Sequence, residues 1–294
     1  MNVLVDIASK YSRRFARLKS RFFADTPVVC EQAVYGSFAF WDRGYDVLAK
    51  SPGCRSEWVA EWVAACRSLG EQPRGKARRG FCAQRLRCGV WIFVGVFPAG
   101  CDDQGRPGAL VFHALFASDR DFRGLGADPF LFEPLLRGDW DGATTSLAPT
   151  LLFCNRAATS VVKTSIGVRA RRIADAVARG AKVVVEADAA IDELARHVWR
   201  VLPKRVRAHK TFATWSARLG AFDLIAMPRL PSDGLRRPWV AESELPLKTA
   251  STAIRKGAVG VRRRMVKRVR FASLFARASA RMLWSAFAAS RRRV

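Results

Sequence analysis

The residue with the clearest capacity for acid–base chemistry is His113, which interrupts an apolar run and precedes Asp119, Arg120 and Asp121. As a general base, or as the partner of a nucleophile, its imidazole needs a Cys, Ser or Asp side chain within hydrogen-bond reach. The alternative is a buried histidine that donates a hydrogen bond to a backbone carbonyl and fixes a loop. The sequence leaves both open, and we take His113, Asp119 and Arg120 as candidate site residues.

Arg106 is a second candidate, because it stands between Gly105 and Gly108 in a turn. A guanidinium beside free backbone amides can hold an anionic ligand or partner, although an ordinary arginine of a hairpin loop fits the pattern equally well. The chain has three histidines and seven cysteines, and none of the cysteines forms a CxxC pair. The sequence therefore predicts no metal site. It contains neither a P-loop nor a dinucleotide fingerprint, so we expect no cofactor.

A predicted β-hairpin positions both candidates. Gly89 to Phe97 forms its first strand, residues 101–108 turn the chain, and Ala109 to Phe116 returns as a second apolar strand. His113 then lies within the returning strand, and Arg106 lies in the loop.

The surrounding pattern predicts an α+β fold: a mixed or antiparallel sheet domain, followed by a smaller α/β layer and a basic helical tail. In the first half, Ser56 to Leu69 has the apolar spacing of a helix and is followed by Gly70. In the second half, Val168 to Ala178 and Asp188 to Leu202 are predicted helices. The short Val-rich strand Ala181 to Ala187 lies between them. The predicted organisation is a basic amphipathic helix (1–26), a sheet-containing domain (27–149), an α/β region (150–231), and a linker with the tail (232–294).

Composition limits the classes of protein. With 294 residues and 50% hydrophobic content, the chain can bury a full core and is not disordered. The odd number of cysteines, the lack of a secretory apolar region and the lack of a membrane-length apolar run predict a cytoplasmic protein. The inner membrane surface is the alternative location.

Charge is concentrated in the tail. Residues 245–294 carry 14 Lys and Arg and no acidic residue, which is more than half of the net charge of +26. Apolar residues recur at intervals of three and four there, which predicts a basic amphipathic helix. Such a helix can lie on an anionic membrane, dock on the acidic face of a protein or track nucleic-acid phosphates; it can also pack on the protein's own core. We expect protein or membrane docking before nucleic acid, because the tail contains neither Asn nor Gln. The predicted tail contacts are Arg262, Arg263, Arg264, Lys267, Arg268, Arg270, Arg277 and Arg281.

Between Gln32 and Pro228 the chain contains a series of short sequence motifs. The first block contains the segments QAVYGS (32–37), GYDVLAKSPG (44–53), RPG (106–108), VFHAL (111–115) and DPF (128–130), and the second contains WRVLP (199–203) and KTFATW (210–215). This series resembles the N-terminal and middle regions of the bacterial GTPase-associated proteins of predicted conflict and defence systems. The order and spacing of the motifs carry the resemblance.

The resemblance implies a cytoplasmic accessory protein that works beside a GTPase, without established catalysis. We therefore expect a non-catalytic adaptor or sensor whose partner is a GTPase or another protein of the same system. Two alternatives come from other classes: a hydrolase-type enzyme that uses His113, and a nucleic-acid-binding protein that acts through the basic tail. An enzyme requires His113 beside a Cys, Ser or acidic side chain, whereas an adaptor predicts that it is enclosed by apolar neighbours. A nucleic-acid-binding protein predicts a continuous basic face rather than a loose tail.

Overall fold

A computed structural model describes residues 27–38, 44–70, 80–140, 145–153, 167–231 and 234–246. The amphipathic helices predicted for residues 1–26 and for the tail lie outside these ranges. So do all the tail contacts from Arg262 to Arg281. None of the helices in the described ranges is both long enough and apolar enough to cross a membrane.

The described residues before 140 are dominated by strands. Their order is β1 (Val28–Gly36), β2 (Asp46–Lys50), α1 (Ser56–Gly70), β3 (Gly80–Arg85), β4 (Trp91–Cys101), β5 (Pro107–Ala117) and α2 (Asp119–Gly124). The charges of α1 suit the helix dipole, because Glu57 lies in its first turn and Arg67 in its last. The predicted hairpin is present as β4 and β5, which pair antiparallel from Trp91 opposite Ala117 to Cys101 opposite Pro107.

Helices and strands alternate in the second half. The elements are β6 (Thr150–Leu152), α3 (Val168–Ala178), β7 (Lys182–Glu186), α4 (Asp192–Val201), α5 (Lys204–Arg207), β8 (Phe212–Ala213), β9 (Leu224–Met227) and β10 (Trp239–Ala241). The apolar segment from Pro129 to Leu136 has the length of a short helix but forms a pair of 3₁₀ turns, Pro129–Leu131 and Glu133–Leu135. Pro134 explains this, since proline lacks the amide hydrogen that a continuing α-helix needs.

One sheet runs through both halves in the order β10-β7-β9-β8-β3-β4-β5-β1-β2, and β6 pairs with the start of β1. The half built from β1 to β5 is antiparallel, whereas β7 pairs in parallel with both β9 and β10, and β8 with β9. The α+β class and the mixed sheet are therefore confirmed. Residues on both sides of the predicted boundary at 149/150 belong to this sheet, because β3 pairs with β8. The predicted linker also contributes β10.

The sheet buries both of its faces. On one face α1 packs its Trp62 and Cys66 against β4 and β5. On the other face, α2, the 3₁₀ turns, α3 and α4 bury a second cluster that includes Phe93, Phe132 and Trp199. Odd-numbered residues of β5 face this second layer, so His113 points to the side of the sheet opposite α1.

Candidate functional site

His113 lies in the middle of the antiparallel half of the sheet. It stands opposite Val34 of β1 and Gly95 of β4, and its side chain is fully buried. It lies between the large cluster around Phe93 and a smaller one that contains Val34 and Val111. The strand therefore places this imidazole inside the protein rather than at a cleft.

Both ring nitrogens of His113 are used. The backbone N–H of Arg137 donates to Nδ1 at 2.9 Å, and Nε2 lies 2.9 Å from Oε1 of Gln32. Because Nδ1 accepts, this network assigns the proton to Nε2, which donates to the glutamine. The Gln32 amide in turn donates to the carbonyl of Ala148 at 2.5 Å. The histidine thus connects β5 to β1 and to two loops.

Burial, helped by the nearby positive charge of Arg137 and opposed by Asp139, lowers the pKa of His113 to about 3. The ring is therefore neutral at physiological pH. A base of such low pKa abstracts a proton poorly at neutral pH. Its two hydrogen-bond partners are an amide side chain and a backbone N–H, not a nucleophile or a carboxylate.

The loop that covers His113 is held by its own contacts. The Arg137 side chain makes two hydrogen bonds to Asp139 and lies over the ring of Trp140, and the indole N–H of Trp140 donates to the Arg137 carbonyl. The Trp140 ring meets the imidazole edge-on at a centroid distance of 5.0 Å. Arginine, aspartate and tryptophan together close the histidine off from solvent.

Two glycines make room beneath this loop. A Cβ atom on Gly95 would lie 2.5 Å from the Phe97 ring, and one on Gly138 would lie 2.6 Å from the same ring. Phe97 is therefore wedged between the strand and the loop, in space that only glycine leaves free.

Arg106 is committed to its own loop. Its Nε donates to the buried carboxylate of Asp102 at 2.6 Å, and its backbone N–H donates to the same carboxylate at 2.8 Å. The adjacent Asp103 accepts hydrogen bonds from Ser37 and from the N–H of Gly44. These are the contacts of an arginine that fixes its own hairpin loop, which is one of the two roles that the sequence leaves open for Arg106.

Asp119 and Arg120 are not brought to His113. The four residue-to-residue steps from His113 to Ala117 alone span about 13 Å along the strand. The Asp119 carboxylate accepts from Arg123 at 2.6 Å and from the Trp91 indole at 3.1 Å. The hydrogen bond from Arg123 is the main reason that the pKa of Asp119 is lowered. Arg120 is exposed on α2.

Other residues of the matched motifs make hydrogen bonds that join loops to the sheet. The buried Ser51 hydroxyl accepts from the N–H of Gln32 at 2.8 Å and donates to Glu31 at 2.5 Å, and Glu31 also accepts from the N–H of Gly53. In the second block, the buried Thr214 hydroxyl accepts from the N–H of Phe81 at 2.9 Å. The motifs therefore mark places where loops and strands are joined.

Sequence reasoning missed the partners of His113. Gln32 belongs to a matched motif, and its position near a histidine on a neighbouring strand was a usable signal once the strands were paired. The N–H of Arg137 offers no signal, because any residue supplies a backbone donor.

A groove of about 470 Å³ lies where the edge strand β2 meets α1. We call it the β2–α1 groove. Of the predicted site residues that the structure describes, none lines it. Its lining residues are Val47, Leu48, Ala49, Lys50, Ser56, Val59, Ala60, Val63 and Thr145.

Across the described ranges, no three or more His, Cys, Asp or Glu side chains are grouped so that they could hold a metal ion. Comparison of this chain with protein-family models, with curated proteins and with solved structures finds no match.

Proposed function

We propose that this protein is a non-catalytic adaptor or sensor module that works with a GTPase in a bacterial conflict or defence system. The observation that carries the proposal is the environment of His113. The candidate base is neutral, fully buried and bonded to Gln32 and to a backbone N–H. A hydrolase requires the histidine to face a nucleophile or an acid, whereas its hydrogen bonds go to an amide side chain and a backbone N–H between two apolar clusters, which favours a non-catalytic role.

The motif residues support the same proposal. Ser51 and Thr214 are buried side chains whose hydrogen bonds go to neighbouring loops and strands. Satisfied buried polar groups of this kind specify one arrangement of a fold. A module whose task is recognition needs such a rigid frame, because a preorganised surface loses less entropy on binding.

We assign the partner contact to the β2–α1 groove. Its lining is mainly apolar. Ser146 and Leu147 already pair with the end of β2 at Lys50, so we assign the contact to the apolar lining of the groove and not to addition of a strand. A partner segment with apolar side chains at regular spacing suits such a groove. The basic tail then strengthens attachment to an anionic surface, with membrane or protein preferred over nucleic acid.

The test is affinity capture by the full chain from nuclease-treated extract of cells that make the protein, with GDP or a non-hydrolysable GTP analogue added. The expected result is retention of a GTP-binding protein that differs between the two nucleotides. Ala60→Arg places a charge in the groove and should reduce retention about tenfold, equivalent to about 1.4 kcal/mol. Ala64→Arg is the matched control, since it adds the same charge to the same helix at an exposed position that does not line the groove.

Two results would contradict the proposal. If all binding disappears on nuclease treatment, the nucleic-acid alternative replaces it. If Ala64→Arg weakens retention as much as Ala60→Arg, the groove is not the contact.

A further inference from the structure

Large apolar side chains are exposed together where β1 begins. Val29 is 55% exposed, Leu151 43% and Phe153 65%, and Val29 stands directly opposite Leu151 in the antiparallel pairing of β1 with β6. Side chains alternate along a strand, so Leu151 and Phe153 point to the same side of this pair. We call these three residues the β1–β6 patch.

The two faces of this strand pair differ sharply. Cys30 and Leu152, whose side chains alternate with those of the patch, are buried in the large core cluster. The outer face has apolar side chains at positions where a strand facing water normally carries polar ones. Single exposed apolar residues are ordinary, but a contiguous cross-strand group marks a surface that something covers.

The chain itself supplies a segment of the right kind at the right place. The described residues begin at Pro27, one residue before β1, and residues 1–26 lead directly into it. Within this segment apolar side chains recur at intervals of three and four, which is the stripe of an amphipathic helix. The stripe consists of Val5, Ala8, Tyr11, Phe15, Leu18 and Phe22.

The linkage is short enough to place the stripe on the patch. From Phe22 to Pro27 is five residues, which extend to at most about 18 Å. Because Val29 lies only two residues after Pro27, a helix that ends near Phe22 can fold back over the start of β1. It would then place phenylalanine and leucine side chains against Val29, Leu151 and Phe153.

We infer that residues 1–26 pack their apolar stripe on the β1–β6 patch. On a helical projection of the sequence, most cations of the segment fall on the side opposite the stripe, so covering the stripe does not require burying them. They are Lys10, Arg13, Arg14, Arg17 and Arg21. The β1–β6 patch is separate from the β2–α1 groove, so failure of this inference would leave the proposed function untouched.

The test places the photoreactive residue p-benzoylphenylalanine at position 153 of the full chain. Phe153 is exposed, so this replacement leaves the core unchanged. After irradiation, mass spectrometry of the digested monomer should show crosslinks within one chain to residues between 5 and 22. The same photoreactive residue at Tyr45, which is also exposed, is the control and should not yield them.

Two double variants test whether the apolar stripe packs on the patch or the segment is merely close to it. Phe15→Glu together with Leu18→Glu should reduce the crosslink yield about tenfold, whereas Arg13→Ala together with Arg17→Ala should leave it unchanged. Crosslinks confined to residues 154–166, or crosslinks between two chains, would assign the patch to another occupant and overturn the inference. Absence of any crosslink to residues 1–26 would overturn it as well.

Discussion

Protonation of His113 should make the fold sensitive to acid. In the folded state its pKa is about 3, whereas an unfolded histidine titrates near 6.5. Below pH 6.5 the unfolded chain therefore binds a proton that the folded chain does not. The contribution of neutral His113 to the free energy of unfolding is therefore complete above pH 6.5 and is lost as the pH falls towards 3. At pH 5 the loss is about 2 kcal/mol, since 1.5 pH units correspond to about 1.36 kcal/mol each.

Urea denaturation of the full chain at pH 7.5, 6.5, 5.5 and 5.0 measures this dependence. His113→Asn lacks the titrating group and should lose less stability than the wild type over this range, by about 2 kcal/mol at pH 5. Other titrating groups are common to both proteins and cancel in the difference. His209→Asn, which alters an exposed histidine, should keep the wild-type dependence. If wild type and His113→Asn lose stability in parallel, the imidazole is not held neutral in the fold and the structural role assigned to it is wrong.

Three further predictions concern packing, hydrogen bonding and thiol reactivity. Gly95→Ala should lower the free energy of unfolding by roughly 1–3 kcal/mol because its Cβ meets the Phe97 ring, whereas Gly124→Ala meets nothing within 4 Å and should not; chemical denaturation compares the two. Thr214→Val should cost roughly 1–3 kcal/mol by leaving the buried N–H of Phe81 without its acceptor, and an unchanged unfolding midpoint would refute that hydrogen bond. Alkylation of the native protein at pH 7.5 should modify the exposed thiols first, because burial raises the pKa of the buried thiols, to about 12 for Cys30 and Cys82. Modification of buried and exposed thiols at equal rates would contradict this. Among the cysteines that the structure describes, the buried thiols are Cys30, Cys54, Cys66 and Cys82, and the exposed ones are Cys88 and Cys101.

Local pattern predicted the elements well where one face of an element is apolar. The helix predicted at Val168 to Ala178 has the same bounds in the structure, since its apolar side alternates with arginines and Gly180 ends it with a φ of 94°. The hairpin of β4 and β5 was also evident, because alternation and a glycine-rich turn are local signals.

Pairing between distant strands was not predictable in the same way. The joint between β3 and β8 depends on residues such as Phe81 and Thr214, which are 133 positions apart in the chain. No periodicity encodes such a partner, so one sheet appeared in the sequence as two regions. Trp239 to Ala241 lies in the predicted linker, after several prolines, yet it pairs with β7 in parallel.

For the candidate site, too, the partners that lie far away in the sequence could not be predicted. The sequence identified His113 but left two roles open, and only its partners distinguish them. The loop-fixing interpretation foresaw a bond to a backbone carbonyl, whereas the ring accepts from a backbone N–H and contacts a glutamine. Arg106 forms an ion pair with Asp102, and Asp119 forms one with Arg123. The partners are four positions apart in each pair, so both ion pairs were visible in the local sequence.

The long separation between β3 and β8 also has a consequence for synthesis on the ribosome. At typical rates of 5–20 residues per second, the 133 residues between Phe81 and Thr214 take on the order of 10 s to translate. During this interval the nascent chain can pair β3 with β4, while the other side of β3 remains without a neighbour. A nascent β3 is thus a site where another growing chain can pair by mistake, and a chaperone that shields it for those seconds would raise the yield of folded protein.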